Sequence, residues 1–464
     1  MIKDFNKHTN KYFPTTTGDN SELLFLLNKT SQLLCNWYSN SEDIGPLPRG
    51  KIFEPSLPEE DGCDLNKLFD EVNSLIYSSF NPVHPGSLAH LDPPPLSISI
   101  VGDLIAGALN NNLLAEELSP SISILEQQIC EWFARKVGFT KNSGGIAASG
   151  GTLNNLNALV TARFNSGVAS DQNASFIISE DAHVSFKKCA RIIGLKNENI
   201  SVIETDNYGR MNVLSLVEEF KKIQNSNKKI FAVVATVGTT IRGAIDPINE
   251  ISSFCRSKNI WLHIDGSIGG IFTLGNNKII DNQALKNANS LTINPQKILG
   301  ITKTSSLLLV NDIENLRETF QTGLPYVDTS VDVLNRGELG VQGSRPAEII
   351  KLWLGLRVLG SKGINEILNQ SIFKKSLFTE KLDKSKYDII TGPLHIVSFI
   401  PKNSSKEESD SWTFQTKKLL LKNNFMISRP FYRDRYYLRV VLGNLNTEKT
   451  HIIKLTNFLN QQVL

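Results

Sequence analysis

The sequence predicts an α/β protein whose main domain is built on a mainly parallel sheet. From residue 146 onward, short apolar runs alternate with stretches of helical periodicity, and the clearest runs are residues 176–178, 200–203, 231–235 and 260–264. Such runs are typical of strands buried on both faces, and the intervening helices supply the crossovers that parallel strands need. Because ligands bind at the carboxyl ends of such strands, polar residues at those ends are the first candidates for a functional site.

The composition is that of an ordinary globular protein. The chain has 464 residues, of which 40% are hydrophobic and 20% charged, and this is enough for one large domain and a smaller one. The 49 basic and 46 acidic residues give a formal net charge of +3. That balance favours neither nucleic acid nor an anionic membrane as a partner.

Cysteine usage and the first residues of the chain indicate a cytoplasmic protein. The five cysteines are scattered and include no CxxC pair, so a disulfide framework is not expected and a reducing compartment fits. The first residues lack the apolar core of a signal peptide, and no apolar run is long enough to span a bilayer. The motifs HExxH and HxxxH are also absent, so we expect no metal site. The P-loop motif is absent too, so a P-loop NTPase is not expected.

Residues 1–95 form a polar N-terminal extension that is interrupted by turns. Its last part, residues 81–95, is rich in proline and predicts a structured but irregular loop. A helix at 96–109 then opens the predicted large domain, residues 96–360. The further helices predicted in that domain cover residues 153–161, 213–223, 248–258 and 352–359.

Residues 361–464 predict a small C-terminal α/β domain. The periodicity there changes to shorter, separated elements after the helix that ends near residue 359. The predicted order is a strand at 395–400, a helix at 412–421, a strand at 437–441 and a helix at 449–459.

Two charged residues follow apolar runs of the large domain. Asp265 closes the run 260–264, and Lys297 follows residues 290–296, which also have the pattern of a buried strand. Such charges are costly to bury without a partner. A lysine and an aspartate so placed suit pyridoxal phosphate, because the lysine forms a Schiff base with the aldehyde and the aspartate pairs with the pyridine nitrogen. The pair alone fits equally well two unrelated residues of an ordinary α/β protein.

Three further features lie at predicted strand ends. Residues 149–152, Ser-Gly-Gly-Thr, precede a helix, and glycines at a helix N-terminus let the backbone approach an anion. His183 follows the run 176–178, and its flat imidazole can stack on a planar ring. Hydroxyl-bearing residues at 236–240 follow the run 231–235. Each feature alone is also explained as a turn or a core residue, but five in order, each after its own strand, favour one shared site.

In these motifs and their order, the chain resembles the group II pyridoxal-phosphate-dependent amino-acid decarboxylases, which include glutamate, aromatic amino-acid, diaminobutyrate and cysteine-sulfinate decarboxylases. The resemblance implies the PLP-dependent transferase-like fold, fold type I, and says little about the substrate. It covers roughly residues 75–445. The matching stretches are residues 81–85, 119–120, 149–159, 181–183, 234–240, 246–247, 263–265, 294–297, 343–345, 352–354 and 438–439.

The resemblance also implies roles for individual residues. Lys297 would carry pyridoxal 5'-phosphate as a Schiff base, Asp265 would keep the ring nitrogen protonated, and His183 would stack on the ring. Thr240 would lie near the phenolic oxygen. The N-terminal extension would pack on the partner subunit of a homodimer with shared active sites. The residues implied for the phosphate are Gly151, Thr152 and Asn294, with Gly343 and Ser344 reaching in from the second subunit.

On the substrate side, the resemblance implies His90 near the side chain of the amino acid and Arg439 near its carboxylate or the loop over it. Asp92 can favour a cationic side chain or simply cap a turn. The family's mobile loop carries a tyrosine that protonates the decarboxylated intermediate. This chain has Val331 at that place and Tyr326 nearby, so Tyr326 is the candidate proton donor, and His183 or water is the alternative.

Two more departures from the family pattern lie beside the cofactor residues. The family has Asp-Ala-Ala where this chain has Asp-Gly-Ser at residues 265–267. The family also has a histidine before the lysine, where this chain has Gln296. A proton-transfer role for that neighbour is therefore not implied.

The sequence thus predicts a lyase that decarboxylates an L-amino acid through an external aldimine and a quinonoid, releasing CO2 and the amine. Two alternatives stay open. The same cofactor can serve an aldehyde synthase or an aminotransferase-like enzyme, for which aldehyde formation with oxygen consumption is diagnostic. A non-catalytic homologue that binds the cofactor and acts as a dimeric interaction protein would release no CO2, but the intact Lys297 and Asp265 argue against it.

Overall fold

The structure is a computed structural model that describes residues 13–16, 18–50, 52–58, 60, 62–325 and 334–462. The helices are α1 Ser21–Ser39, α2 Ser41–Ile44, α3 Leu65–Tyr77, α4 Ser97–Leu109, α5 Pro120–Lys136, α6 Gly151–Asn165, α7 Ser185–Ile192, α8 Val213–Gln224, α9 Ile248–Lys258, α10 Asn282–Leu285, α11 Pro295–Ile298, α12 Glu314–Phe320, α13 Ile349–Lys381, α14 Lys406–Lys422 and α15 Lys449–Gln461. Within these described ranges, no helix is long and apolar enough to cross a membrane.

The strands belong to two main sheets and one short hairpin. They are β1 Gly144–Ala148, β2 Ala174–Ser179, β3 Ile200–Ile203, β4 Lys229–Thr236, β5 Trp261–Gly266, β6 Ser290–Ile293, β7 Ser306–Val310, β8 Tyr387–Thr391, β9 Ile396–Pro401, β10 Phe431–Tyr432, β11 Arg435–Tyr436 and β12 Leu438–Val441.

The large domain is organised around a seven-stranded sheet with the strand order β1-β7-β6-β5-β4-β2-β3. Strands β3, β2, β4, β5 and β6 pair in parallel, whereas β7 runs antiparallel to both of its neighbours. Successive side chains along β2 and β4 alternate between two core clusters on opposite faces of the sheet. Ile177 and Val233 pack with α5, α8 and α9, whereas Ile178 and Val234 pack with α6 and α7. The predicted α/β class with a mainly parallel sheet is therefore confirmed.

The strand predicted before Lys297 is shorter than its sequence pattern suggests. Strand β6 ends at Ile293, and α11 begins at Pro295. Proline lacks the N–H that a strand ladder requires, and its fixed φ favours the first position of a helix. Lys297 consequently lies on a short helix just beyond the strand end. The prediction that a strand runs up to Lys297 is therefore wrong.

Helix α13 links the large sheet to the C-terminal part of the chain. It runs from Ile349 to Lys381 and is interrupted at Gly360, whose φ of 55° and ψ of −175° are not helical. The domain boundary predicted between residues 360 and 361 lies beside this kink and stays a prediction. Glycine tolerates a positive φ that other residues rarely adopt, so the two halves of α13 can take different directions.

The C-terminal part contains a three-stranded antiparallel sheet with the order β12-β9-β8. Its core also includes Leu88 from the end of the N-terminal extension. The backbone N–H of Leu88 donates to Met426 O at 2.9 Å, and Val441 N donates to Leu88 O at 2.8 Å. The segment that carries His90 is thereby attached to the small sheet rather than to the large one.

Candidate active site

A cavity of about 170 Å³ lies at the carboxyl ends of the parallel strands, where the topology of such sheets places ligand sites. Strand β5 pairs with both of its parallel neighbours at this end, so Asp265 stands opposite Thr236 of β4 and Thr292 of β6. The residues that the sequence predicted and that line this one cavity are Gly151, Thr152, His183, Thr240, Asp265, Asn294 and Lys297.

One wall of the cavity is the N-terminus of α6, which follows the glycine turn. Gly150 has a φ of 95°, and no side chain among the described residues caps the helix. A Cβ on Gly151 would lie 2.7 Å from Ser267 Oγ and 2.8 Å from Asn294 Nδ2, so only glycine fits. Uncapped N–H groups, an amide and hydroxyls at a helix N-terminus suit an anion such as a phosphate.

Asn294 is oriented by its own hydrogen bonds. Its Oδ1 accepts a short hydrogen bond from Ser306 Oγ, and Ser306 Oγ in turn accepts one from Asn154 Nδ2 at 2.6 Å. Because the oxygen of the Asn294 amide faces Ser306, its nitrogen is left toward Gly151. The amide therefore presents a donor to the phosphate side of the cavity.

Asp265 ends β5 as a buried carboxylate with only 4% of its surface exposed. Ser267 N donates to its Oδ1 at 3.0 Å, and Asn155 Nδ2 donates to its Oδ2 at 3.1 Å. Burial raises the pKa of Asp265, but the hydrogen bonds from Ser267 and the charge of Lys297 outweigh it and hold this pKa below the usual range. The carboxylate is therefore kept ionised where it faces the cavity.

Lys297 lies on α11 and lines the same cavity as Asp265. Burial lowers the pKa of its amine, partly opposed by the charges of Asp265 and Asp92. A lowered pKa increases the fraction of neutral amine, which is the form that attacks a carbonyl carbon.

His183 precedes α7 and has a fixed ring orientation. Its Nδ1 accepts a hydrogen bond from Ser185 N at 3.2 Å. Burial lowers the pKa of His183, more than the nearby Asp265 raises it. The imidazole is consequently neutral near pH 7, and a neutral planar ring suits stacking on another ring.

The two predicted substrate residues do not line this cavity. His90 lines a smaller cavity of about 10 Å³, which it shares with Lys297, Asp92 and His395. Arg439 ties three segments together by donating to Thr240 O at 2.8 Å, to Ala89 O at 3.0 Å and to Ser428 Oγ at 2.9 Å. A guanidinium has five N–H donors, so these three hydrogen bonds leave some of them free for a substrate carboxylate. The predicted role of Arg439 toward that carboxylate stays a prediction.

The remaining predicted residues lie elsewhere. Gly343 and Ser344 are outside the cavity of their own chain, and Ser344 Oγ accepts a hydrogen bond from Asn112 Nδ2 at 3.2 Å. Tyr326 and Val331 lie outside the described residues, so the proposed proton donor stays a prediction.

Four residues of the site have no role in the sequence-based interpretation. Asn155 and Ser267 hold Asp265, and Asp181 lines the cavity while accepting a hydrogen bond from Tyr432 at 2.9 Å. His395 is 1% exposed and stacks on Phe272 beside the smaller cavity. Asn155 had one detectable signal, because a polar residue three positions after the Gly-Gly-Thr turn lies on the first turns of the helix; His395 had none.

The residues present fit pyridoxal phosphate. The α6 N-terminus and Asn294 provide phosphate donors, Asp265 provides an ionised carboxylate, and Lys297 provides the amine. Thr236 Oγ1 also lines the cavity and is buried without a hydrogen-bond partner among the described residues. Buried polar groups are normally satisfied, so this hydroxyl indicates that a bound group completes the site.

The chain is similar to known proteins of one family. The family model described as "Pyridoxal-dependent decarboxylase conserved domain" matches residues 49–399. The aromatic-L-amino-acid decarboxylase of Bacillus atrophaeus is 28% identical over 418 residues, covering 88% of this chain and 87% of that protein. The mouse cysteine sulfinic acid decarboxylase is 25% identical over 445 residues, covering 89% and 88%.

Solved structures share the fold. The crystal structure of mouse CSAD in apo form superposes with a TM-score of 0.89 at 21% identity, covering 96% of this chain and 99% of that chain. The structure of Oryza sativa TDC with PLP and tryptamine has a TM-score of 0.89 at 19% identity, covering 97% and 99%. The predicted fold type I, the predicted cofactor and the predicted family are confirmed. The chain therefore belongs to the pyridoxal-dependent decarboxylase family, and it is a carboxy-lyase whose cofactor is pyridoxal 5'-phosphate.

Proposed function

We propose that the protein removes the α-carboxylate of an L-amino acid as CO2 and releases the corresponding amine. The observation that carries this proposal is the placement of an ionised Asp265 and the amine of Lys297 on one buried cavity. When bound, pyridoxal 5'-phosphate supplies a carbonyl carbon for the amines and a protonated ring that accepts the electron pair of the broken Cα–carboxylate bond.

The residues of the chain serve that chemistry in distinct ways. Lys297 would hold the cofactor through its amine. Asp265 would keep the ring nitrogen protonated, because a fixed negative charge in a site that excludes water stabilises a proton strongly. His183 would cover one face of the ring and so orient it. The α6 N-terminus and Asn294 would hold the phosphate end and so fix the position of the ring.

The class of substrate follows from the family only in part. The curated relatives include decarboxylases named for aromatic amino acids, aspartate, 2,4-diaminobutyrate and cysteine sulfinic acid. On the substrate side of Lys297, Asp92 forms an ion pair with Lys303. Because this carboxylate already has a cationic partner within its own chain, it gives no preference for a cationic substrate.

The test is a screen of purified protein, loaded with cofactor, against L-tryptophan, L-tyrosine, L-glutamate, L-aspartate, L-cysteine sulfinate and L-2,4-diaminobutyrate. CO2, amine, aldehyde and oxygen are measured together. We expect equal amounts of CO2 and amine from at least one substrate. Aldehyde with oxygen consumption would instead indicate an aldehyde synthase, and no CO2 despite bound cofactor would indicate a non-catalytic binding protein.

The anchor of the cofactor is tested in the same protein. Lys297→Ala should abolish turnover and the covalent link that borohydride reduction traps, because no other amine is placed on this cavity among the described residues. Lys303→Ala removes a neighbouring lysine that does not line the cavity and should keep the trapped link. Recovery of reduced cofactor on a peptide without Lys297 would contradict the assignment.

A further inference from the structure

A buried chain of hydrogen bonds leads to the carboxylate of Asp265. Trp261 Nε1 donates to Ser290 Oγ at 2.9 Å, and Ser290 Oγ lies 2.8 Å from His263 Nδ1. His263 Nε2 lies 3.2 Å from Asn155 Oδ1, and Asn155 Nδ2 donates to Asp265 Oδ2 at 3.1 Å. The chain therefore runs from a core tryptophan to the cavity.

The direction of every bond in this chain is determined. Asn155 Nδ2 donates to the Asp265 carboxylate, so Asn155 Oδ1 is an acceptor and His263 must carry its proton on Nε2 and donate to it. In the neutral ring Nδ1 is then an acceptor, so Ser290 Oγ donates its single proton to Nδ1 while accepting from the indole N–H of Trp261. Burial lowers the pKa of His263 to about 4, so the ring is neutral, as this arrangement requires.

The amide of Asn155 is fully satisfied. Its Oδ1 accepts from His263 and from Thr292 Oγ1 at 3.0 Å, and its Nδ2 donates to Asp265 and to Ser185 Oγ at 3.1 Å. An amide has two acceptor and two donor sites, and all four are used. Turning the amide over would place its oxygen against the Asp265 carboxylate, so a single orientation is stable.

This amide connects the elements that form the site. Asn155 itself lies on α6, whose N-terminus faces the phosphate side. Thr292 lies on β6, directly before the segment with Lys297, and Ser185 opens α7, two residues after His183. With 1% of its surface exposed, at the wall of the cavity, Asn155 has almost no contact with solvent that could replace these bonds.

We propose that Asn155 is a positioning residue whose amide, fixed by His263, Thr292 and Ser185, holds the Asp265 carboxylate as the charged partner of the cofactor's ring nitrogen. This inference rests on the proposed role of Asp265. Asn155 donates to one carboxylate oxygen and Ser267 N donates to the other. Both donors stabilise the charged form of the carboxylate, and they leave the cavity-facing side of the group for the ring.

The test replaces the amide and measures the protonation of the ring nitrogen. Asn155→Leu keeps the approximate volume but removes the donor, and Asn155→Ala leaves room for water beside His263 and Thr292 if the leucine variant does not fold. Each variant is loaded with cofactor labelled with 15N in the ring, and the 15N chemical shift is recorded alongside kcat and KM.

We expect the shift to move toward the unprotonated value in both Asn155 variants. A hydrogen bond to a charged group is worth enough that kcat should fall roughly tenfold to a hundredfold. KM should change by less than about threefold, because all four hydrogen-bonding sites of the amide are used within the chain. The matched control is Thr161→Val, which removes another buried hydrogen bond of α6, from Thr161 Oγ1 to Asn157 O, and should leave the 15N shift as in the wild type.

Asp265→Ala distinguishes a failure of the role proposed for Asn155 from a failure of the role proposed for Asp265. If it moves the 15N shift while both Asn155 variants keep the wild-type value, the positioning role of Asn155 is wrong and the role of Asp265 stands. If Asp265→Ala leaves the shift unchanged, the proposed role of Asp265 fails and the inference fails with it. A loss of thermal stability in the Asn155 variants with an unchanged shift would show that the amide is merely structural.

Discussion

Ionisable side chains near the cavity are controlled by burial and by the donors that face them. Asp265 and Asp246 are both buried carboxylates, with 4% and 2% of their surfaces exposed. The pKa of Asp265 is held low by hydrogen bonds from Ser267 and by the charge of Lys297. Asp246 accepts two backbone hydrogen bonds at 2.7 Å, from Met211 N and Thr236 N, but burial raises its pKa to about 7. The side-chain hydrogen bond of Ser267 and the charge of Lys297, which Asp246 lacks, therefore separate the two cases.

Asp246 should make the stability of the protein depend on pH. Its folded pKa lies above the ordinary value for an aspartate, so the folded state binds this proton more tightly than the unfolded state. The contribution of Asp246 to the free energy of unfolding is complete below about pH 4 and is lost as the pH rises through about 7, by on the order of 4 kcal/mol.

The measurement is the free energy of unfolding in urea between pH 5 and pH 8.5, for the wild type and Asp246→Asn. The amide is neutral throughout, so the variant should show a smaller loss of stability with rising pH than the wild type. Parallel pH profiles for the two proteins would mean that the two backbone N–H groups keep Asp246 ionised over the whole range.

At the scale of elements, a hairpin of the small domain contacts the wall of the cavity. Strands β10 and β11 form this hairpin, and Tyr432 donates from its hydroxyl to Asp181 Oδ2. The guanidinium groups of Arg242 and Arg433 lie 5.2 Å and 5.4 Å from the Tyr432 ring centre. Asp181 lines the cavity two residues before His183, so this contact attaches the hairpin to the segment that carries His183.

Tyr432→Phe should loosen that attachment. The substitution keeps the ring between the two arginines but leaves the half-buried Asp181 carboxylate without its hydroxyl donor. Loss of a hydrogen bond to a charged group should lower the free energy of unfolding by roughly 1.5–3 kcal/mol. Amide hydrogen exchange should also become faster in residues 431–436.

Tyr436→Phe provides the matched control on the same hairpin. Its hydroxyl makes no hydrogen bond among the described residues, and its ring packs on Arg429 at 3.6 Å and on Phe431. We expect its removal to change stability by less than about 0.5 kcal/mol. Equal effects of the two substitutions would show that the hairpin is held by ring packing alone.

For the molecule as a whole, the segment with Gly343 and Ser344 is fixed and does not line the cavity of its own chain. Arg345 donates to both oxygens of Glu126 at 2.7 Å, and Arg336 joins the same buried carboxylate at 3.1 Å. A buried pair of this kind is costly to break, so the segment has a rigid base. This placement supports the proposed homodimer, in which the segment completes the phosphate site of the partner subunit.

Subunit mixing tests that arrangement. Ser344→Asp places a negative charge on an exposed position that would face the partner's phosphate, and Lys297→Ala removes the cofactor anchor. If the site is shared, equal mixing with subunit exchange should give about a quarter of the wild-type activity, because half of the dimers are mixed and each has one intact site. Lys297→Ala mixed with Asp265→Ala should recover nothing, since both changes affect the same half. Absence of recovery in the first pair, despite proven exchange, would contradict a shared site.

The alternation of strands and helices could be predicted from the sequence, and so could the residues placed directly after the strands. His183, Asp265 and the Gly151–Thr152 turn are local features, because a strand's end and the next helix's start are set by neighbouring residues. Pro295 is visible in the sequence, but the sequence analysis did not predict that the strand ends before it and that a helix begins there. Lys297 therefore lies on a helix and not directly after a strand.

The tertiary structure alone decided what supports these residues. Asn155 reaches Asp265 across 110 residues, and Tyr432 reaches Asp181 across 251. No local pattern marks such pairs, because they arise only when parallel strands pair in register and the small domain packs on the large one. Local sequence thus places the reactive side chains at the strand ends. Long-range packing sets their ionisation and orientation, because burial and hydrogen-bond partners depend on the complete tertiary structure.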